Sequence, residues 1–442
     1  MRASHRLCRR SSTTRRAHGS RQPPARSRKA EPLGRPLLDP TIKETTSSDA
    51  RPARWRLLAL LIAMTGISSL SLNILVPAIP SMVTRFVADP ASVQLTVSLY
   101  LLGLAAAQLV FGPLSDRFGR RPVVLAGLAL ATVASTAAIF AASISSLIVA
   151  RVAQSLGAST GQTIGRAIIR DLYDREHAAS MIGLVTSVVV LMPMAAPLIG
   201  GILDTFFGWE SIFVFTAALS FTVFAWAMLA LPETHTFSAT PGGWARFRAD
   251  LGALAASPRF FGYALCAGFG SAPFFSFLGG APHVVVTMLG HTSAEYGLWF
   301  FVPSIGFMAG NFAVSRLTGR LGIDALIWWG IALTIAGCLL NVVVYVAFPG
   351  WDMSTIFLPQ ILISFGNGLL LPTSVAGAVS IRPQVAGTAS GLTGCVQMAI
   401  GAAAAQLGGL VIAHATGAMP LLLLMLAFGV ATGVAVFSLV RR

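Results

Sequence analysis

The sequence predicts an all-α membrane protein with twelve transmembrane helices in two six-helix halves. Three observations support this: the composition, the length of the apolar runs and the distribution of the arginines. Of 442 residues, 55% are hydrophobic and 11% are charged, whereas soluble domains carry about 25% charged residues. A soluble protein of this size would need more polar surface, so we expect lipid to cover most of the chain.

The apolar runs have the length of about 20 residues that spans a bilayer as a helix. Six lie near 56–78, 93–114, 122–142, 145–168, 178–201 and 210–231. After a polar segment, six more lie near 258–282, 295–317, 323–348, 353–377, 386–412 and 418–440. The predicted domains are therefore a basic tail, 1–55, an N-terminal half, 56–231, a cytoplasmic linker, 232–257, and a C-terminal half, 258–442.

The arginines predict that both termini are cytoplasmic, because positive residues concentrate on that side of a membrane. With the N-terminus inside, the outer connections carry only Arg85. The inner connections and the C-terminus carry Arg117, Arg120, Arg121, Arg170, Arg175, Arg246, Arg248, Arg259, Arg316, Arg320, Arg382, Arg441 and Arg442. We expect a multi-pass protein of the plasma membrane, the inner membrane in bacteria.

The positive charge belongs mostly to the tail. Residues 1–56 hold 15 Lys/Arg and 4 Asp/Glu, a net of +11 out of +15 for the chain. Nucleic-acid binding requires a basic folded face, which the body lacks, so nucleic acid is not an expected partner. We interpret the tail as a disordered cytoplasmic segment; a transit peptide and a lipid-binding arm are the alternatives.

Motifs of enzymes and cofactor sites are missing from the sequence. Cys8, Cys266, Cys338 and Cys395 are far apart and match no metal or disulfide spacing. Neither a nucleophile elbow nor a nucleotide loop is present. We therefore expect no enzymatic activity, no metal and no cofactor.

The connection between the second and third spans, GPLSDRFGRRP at 112–122, combines two glycines with one acid and three arginines. An ordinary charged turn is one interpretation, but the density of charges favours a functional one. A weaker copy, LTGRLG at 317–322, stands at the same place in the second half and supports an internal repeat. Gly319 replaces the acid in that copy.

This stretch resembles the major facilitator superfamily, whose corresponding loop reads G-x-L-x-D-R-x-G-R-R. In that family the acid and the arginines latch the inner ends of the two halves together and release them as the transporter turns. The resemblance implies a conformational latch made of Gly112, Asp116, Arg117, Gly119, Arg120 and Arg121.

Two further spans carry transporter motifs. Arg151 lies a few residues inside the fourth span, where ionisable residues are costly and by default functional; snorkelling to the interface is the alternative. Proton-coupled exporters of the superfamily place an arginine here, and the resemblance implies proton coupling through Arg151 and Asp116. The fifth span matches the exporters' g-x8-G-x3-G-P-x2-G-G pattern in part, at Gly183, Pro197, Gly200 and Gly201; simple helix packing is the alternative.

The closer resemblance is to the bicyclomycin/chloramphenicol-resistance family of drug:proton antiporters. The segments that carry it are VQLTVSLYLLGLAAAQLVFGPLSDRFGRRP at 93–122, RAIIRDLYDREHAASMIGLV at 166–185, LPET at 231–234 and AGTASGLTGCVQMAIGA at 386–402. The resemblance implies export of a small compound in exchange for protons.

The first span departs from this family, which reads T-D-M-Y-L-P-A-L-P where this chain has LNILVPAIP at 72–80. Asn73 replaces the membrane acid, and an amide cannot take up a proton as a buried carboxylate can. Proton coupling would then use Asp116, Asp204, Glu295 or His283. The missing acid also favours neutral or anionic substrates over lipophilic cations.

We expect the substrate cavity between the two halves near the midplane. The candidate liners are Asn73, Tyr100, Gln108, Gln154, Gln162, Phe274, Phe275, Phe277, Asn311, Gln360, Asn367 and Gln397. Each amide could equally join helices, which is worth about 0.6 kcal/mol, and each phenylalanine could face lipid.

The sequence thus predicts a monomeric efflux transporter that exports a small drug-like or metabolic compound with proton coupling. Its partners would be a small-molecule substrate, protons and membrane lipid. The alternative is an importer or facilitator of a small metabolite without proton coupling.

Overall fold

The computed structural model describes residues 50–173, 175–189, 191–234, 243–348 and 350–439. Within these ranges all regular structure is helical. Of the predicted disordered tail, 1–55, residues 1–49 lie outside the described ranges. Residues 50–55 are helical and form the start of span 1, so the tail was predicted to extend too far.

The first half contains six spans. Span 1 is Ala50–Asn73 with the short helices Val76–Ala78 and Ile79–Phe86; span 2 is Pro90–Phe118; span 3 is Arg120–Ile139; span 4 is Ile144–Leu172; span 5 is Arg175–Val189 with Met192–Phe207; and span 6 is Glu210–Ala230. A short helix, Gly243–Ala255, follows within the predicted linker.

The second half repeats this plan. Span 7 is Pro258–Pro282 with the π-helical turn His283–Met288; span 8 is Ser293–Trp299 with Phe301–Leu321; span 9 is Ile323–Ala347; span 10 is Met353–Phe357 with Gln360–Ile381; span 11 is Ala386–Ile412, after the turn Pro383–Val385; and span 12 is Met419–Leu439.

Eleven of these twelve spans are long and apolar enough to cross a membrane, counted over the described residues. The exception is span 4, which is 29 residues long but contains Arg151, Gln154, Gln162 and Arg166. Large apolar side chains such as Leu229 and Phe140 are 85% and 79% exposed on the outer surface, as expected where lipid replaces water. The prediction of twelve helices in two halves is confirmed.

Span 1 breaks where its prolines lie. Its long helix ends at Asn73, the turn Val76–Ala78 contains Pro77, and helix resumes at Ile79 with Pro80 in its first turn. A proline lacks the N–H that an α-helix needs and clashes with the preceding turn. The pair of prolines therefore ends one helix and starts the next.

The two halves pack against each other along two seams, span 2 with span 11 and span 5 with span 8. Span 5 runs to Phe207, six residues beyond its predicted end, because Pro197 is accommodated inside its helix. This extension brings the end of span 5 onto the start of span 8. The cavity described next lies between the two seams.

Candidate functional site

A cavity of about 320 Å³ lies between the halves. Spans 1, 4 and 5 line it from one half and spans 7, 8, 10 and 11 from the other. Six of the predicted liners lie on its wall: Asn73, Gln162, Phe274, Phe275, Asn367 and Gln397. Thr65, Ser69, Thr186, Ser271, Ser304 and Ser364 add hydroxyl groups, and Phe300 and Phe307 add aromatic surface. None of the described lining residues is acidic.

Two asparagines of the cavity wall carry buried acceptors without a partner among the described residues. The Asn73 Nδ2 donates to the Ser69 carbonyl at 2.8 Å, and because a carbonyl only accepts, this bond fixes the amide orientation. Asn73 Oδ1 is then left without a partner among the described residues, as is Asn367 Oδ1. Both side chains are 3% exposed. Buried acceptors without a partner are costly, so a ligand donor is expected at each.

The aromatic wall of the cavity comes from the second half. The Phe274 ring meets the rings of Phe275 and Phe300 edge-on, with centroids 5.4 and 6.0 Å apart. Such pairs are held by the ring quadrupoles. The wall is therefore set before a substrate arrives.

Arg166 is the one charged residue among the described liners. It is exposed, and its guanidinium makes no hydrogen bond or ion pair within the described residues. Arg166 was not among the site residues predicted from the sequence, although it lies inside the predicted span 145–168. The signal was the same as for Arg151, an ionisable residue within a membrane span.

Arg151 lies near the start of span 4 and is 1% exposed, so it does not snorkel. Its guanidinium sits 4.2 Å from the Tyr100 ring centroid. It donates to the carbonyls of Ser71 at 3.0 Å and Thr96 at 3.4 Å and to Gln154 Oε1. Within the described chain its acceptors are all uncharged. Arg151 thus joins spans 1, 2 and 4 through neutral groups.

These contacts explain why several predicted liners lie elsewhere. Tyr100 and Gln154 are buried around Arg151, and the Gln154 Nε2 donates to Ser135 Oγ at 2.7 Å. The Gln108 side chain lies beside Gly394 in the seam of spans 2 and 11. The Asn311 Nδ2 donates to the Phe307 carbonyl at 2.9 Å. Phe277 and Gln360 are also buried outside the cavity wall.

The turn between spans 2 and 3 is anchored within the first half. Gly119 has φ +95°, and a Cβ there would approach Glu233 Oε2 to 2.7 Å. The Glu233 carboxylate accepts the backbone N–H groups of Arg120 and Arg121 at 3.0 and 3.1 Å. The Arg120 Nε reaches Asp171 at 3.1 Å.

Of the remaining predicted latch residues, Asp116 and Arg117 contact groups in their own half. Asp116, 59% exposed at its side chain, pairs with Arg120. Arg117 lies over the Phe118 ring, and a Cβ on Gly112 would meet nothing within 4 Å. A latch across the two halves stays a prediction.

The opposite end of the cavity is closed by contacts between the halves. Asp204, on span 5, accepts from Ser81 Oγ of span 1 and Ser293 Oγ of span 8, both at 2.7 Å. Gly201 touches the Ser293 backbone, and Gly297 touches the Pro197 backbone. We name this set of contacts the Asp204 closure.

The other motif residues of span 5 behave differently from one another. Gly200 touches the Ile74 backbone of span 1, so its lack of a side chain permits close packing. A Cβ on Gly183 would meet nothing within 4 Å.

Glu295 caps its own helix by accepting from the Thr292 N–H at 2.8 Å, and His283 begins the π-helical turn of span 7.

A larger surface concavity, about 730 Å³, lies between spans 9 and 10. Its lining is apolar apart from Ser354 and Thr355, and includes Leu340, Val344 and Phe348. It lies on the side of the helices that is expected to face lipid. The cavity between the halves is therefore the better candidate for a polar substrate.

Comparison with known proteins agrees with this architecture. A sequence model described as Major Facilitator Superfamily matches residues 61–406. The chain is 28% identical over 356 residues to multidrug resistance protein D of Escherichia coli K12, covering 78% of this chain and 86% of that one. It is 28% identical to a chloramphenicol resistance protein of Pseudomonas aeruginosa over 75% of this chain and 78% of that one.

A bicyclomycin resistance protein homolog of Haemophilus influenzae is 25% identical over 71% of this chain and 79% of its own length. Among solved structures, a D-xylose–proton symporter has a TM-score of 0.72 at 13% identity, covering 88% of this chain and 98% of that one. A bacterial homolog of the human lysosomal transporter Spinster, inward-facing and unoccupied, has a TM-score of 0.67 at 17% identity, covering 88% and 96%. At these identities the two solved structures establish the fold alone.

Proposed function

The chain belongs to the major facilitator superfamily, and we propose that it exports a small drug-like or metabolic compound across the bacterial inner membrane. The observation that carries this proposal is the cavity between the halves, closed at one end by the Asp204 closure. The drug-resistance names of the relatives support export.

The arginine distribution predicts which side of the membrane each end of the cavity faces. With both termini cytoplasmic, as it predicts, the Asp204 closure would face the outside of the cell. The cavity wall continues along span 4 to Arg166 and Ile169, and along span 5 to Ile182, which lie towards the cytoplasmic ends of those helices. This state would receive its substrate from the cytoplasm.

We propose that protons entering the cell drive export, as the family resemblance implies. Asp116 and Arg151 are the candidate coupling residues. Because the described cavity wall lacks an acid, coupling would act through the contacts between helices and not through direct competition of proton and substrate. A pH gradient across proteoliposomes should drive substrate movement; if it does not, Asn73 marks a lost proton site.

The direction of transport is tested by measuring drug accumulation in cells of an efflux-deficient bacterial strain. We expect cells with the transporter to accumulate less of at least one neutral or anionic drug than cells with the empty vector. Gly201→Leu, which places a side chain against the Ser293 backbone, should abolish the difference. Uptake of a metabolite with no change in any drug's accumulation would establish the alternative, an importer.

A further inference from the structure

We propose that the cavity recognises aromatic organic monoanions, with Arg166 as the residue that selects the negative charge. This inference rests on the proposed transport function and names its substrate class. It is carried by three features of the cavity: an unpaired cation, two unpartnered acceptors and an aromatic wall.

The charge on the described part of the cavity wall is positive only. Arg166 lines it, is exposed and has no acidic partner among the described residues, and none of the other described liners is charged. Arg170, one turn further along span 4, is also exposed, and its guanidinium nitrogen lies 3.5 Å from the place of a Cβ on Gly387 at the start of span 11. The two arginines form a positive path towards the cavity, which attracts anions and repels cations.

Two carboxylates in the described part of the chain, Asp171 and Asp204, do not neutralise this path. Asp171, adjacent to Arg170 in sequence, is bound to Arg120 at 3.1 Å. Asp204 lies at the opposite end of the cavity and accepts from two serines. A guanidinium presents a planar fork of donors that matches a carboxylate, so an acidic substrate group is the complement that Arg166 lacks.

The amides and the rings define the rest of the substrate. Asn73 Oδ1 on one half and Asn367 Oδ1 on the other are buried acceptors without partners. Each would accept an N–H or O–H, so one ligand could bridge the two halves. The wall of Phe274, Phe275 and Phe300 would hold an aromatic body. The substrate class is therefore an aromatic acid that also carries a hydrogen-bond donor.

The test is equilibrium binding to the purified full-length protein in nanodiscs, with three probes that share an indole ring. N-acetyl-tryptophan is an anion at pH 7.5, N-acetyl-tryptophanamide is neutral, and tryptamine is a cation. We expect the anion to bind at least 10-fold more tightly than the neutral amide, and tryptamine to bind most weakly. The affinity of the anion alone should fall as salt is added.

Arg166→Gln should weaken binding of the anion about 10-fold or more, because a hydrogen bond to a charged group is lost, and change binding of the amide less than about 2-fold. Arg316→Gln is the matched control, since Arg316 lies over Phe312 away from the cavity. Asn73→Asp should lower the affinity for the anion and raise that for tryptamine. This second variant tests the charge preference of the same cavity without removing Arg166.

Equal binding of anion and amide, or equal losses of both in Arg166→Gln, would overturn the proposal. Failure of all three probes to bind the wild-type protein would overturn it as well. Export is measured separately by drug accumulation in cells. Selective anion binding without export would contradict only the proposed function, and export without anion selectivity only this inference.

Discussion

The buried arginine of span 4 is held by uncharged groups. Arg151 donates to the carbonyls of Ser71 and Thr96 and stacks over Tyr100. Removing a cation from water costs several kcal/mol unless its donors are satisfied. Its Nε and Nη1 donate to groups on three helices, whereas its Nη2 is buried without a partner among the described residues. Arg151 therefore holds spans 1, 2 and 4 in one arrangement.

Arg151→Lys should therefore fail although it keeps the charge. A single ammonium cannot reproduce the stacking and the spread of donors. We expect transport to fall about 10-fold or more, and the protein to lose roughly 1–3 kcal/mol of stability. Transport assays and thermal unfolding in detergent check both effects. Arg316→Lys is the control, and unchanged activity and melting temperature in Arg151→Lys would refute this role.

Single residues could be predicted from the sequence only in part. The charge rule identified Arg151 and applied equally to Arg166, which was overlooked. It was harder to predict which amide side chains line the cavity, because every helix of a membrane protein is apolar around most of its surface. Nothing in the sequence separates Asn73, which lines the cavity, from Gln154, which binds Arg151.

Individual helices meet across the halves at the Asp204 closure. Spans 5 and 8 approach so closely that Gly201 and Gly297 touch backbone of the other half. Backbone contact of this kind requires residues without side chains. The closure is therefore sensitive to a single added methyl group.

Gly297→Ala should open this end of the molecule, because its Cβ would meet the Pro197 carbonyl. Overpacking of this kind costs about 1–3 kcal/mol, enough to shift the balance between closed and open states. Spin labels at Phe140 and Phe348, which are 79% and 60% exposed, report the opening. Double electron–electron resonance should give a longer mean distance between the labels in Gly297→Ala than in the protein with Gly297.

Gly183→Ala provides the matched control for this experiment. It lies on the same span 5, and its Cβ would meet nothing within 4 Å. The label distance should stay at the wild-type value. An unchanged distance in Gly297→Ala, or an equal change in both variants, would show that the close approach does not govern the closure.

Most of the membrane-spanning helices could be predicted from the sequence. Apolar runs of bilayer length predicted all twelve spans. The break in span 1 at Pro77 and Pro80 was not predicted. The end of span 5 was not predicted, because Pro197 and the glycines around it suggest a helix end. Packing against spans 1 and 8 keeps that helix intact to Phe207.

At the scale of the whole molecule, the two halves enclose a positively charged cavity that is closed at the Asp204 end. Exporting an anion from a cell whose interior is negative releases about 2.3 kcal/mol per 100 mV. Such a substrate would leave down the potential even without a proton site at Asn73. The loss of the acid and the presence of Arg166 then describe one consistent charge preference.

The central claim, export of an aromatic anion loaded from the cytoplasmic side, is tested most directly by flux in membrane vesicles of known orientation. Inverted vesicles with an imposed interior-positive potential should accumulate N-acetyl-tryptophan above vesicles without the protein, and Arg166→Gln should abolish the difference. Accumulation only in right-side-out vesicles, or in neither orientation, would contradict the account.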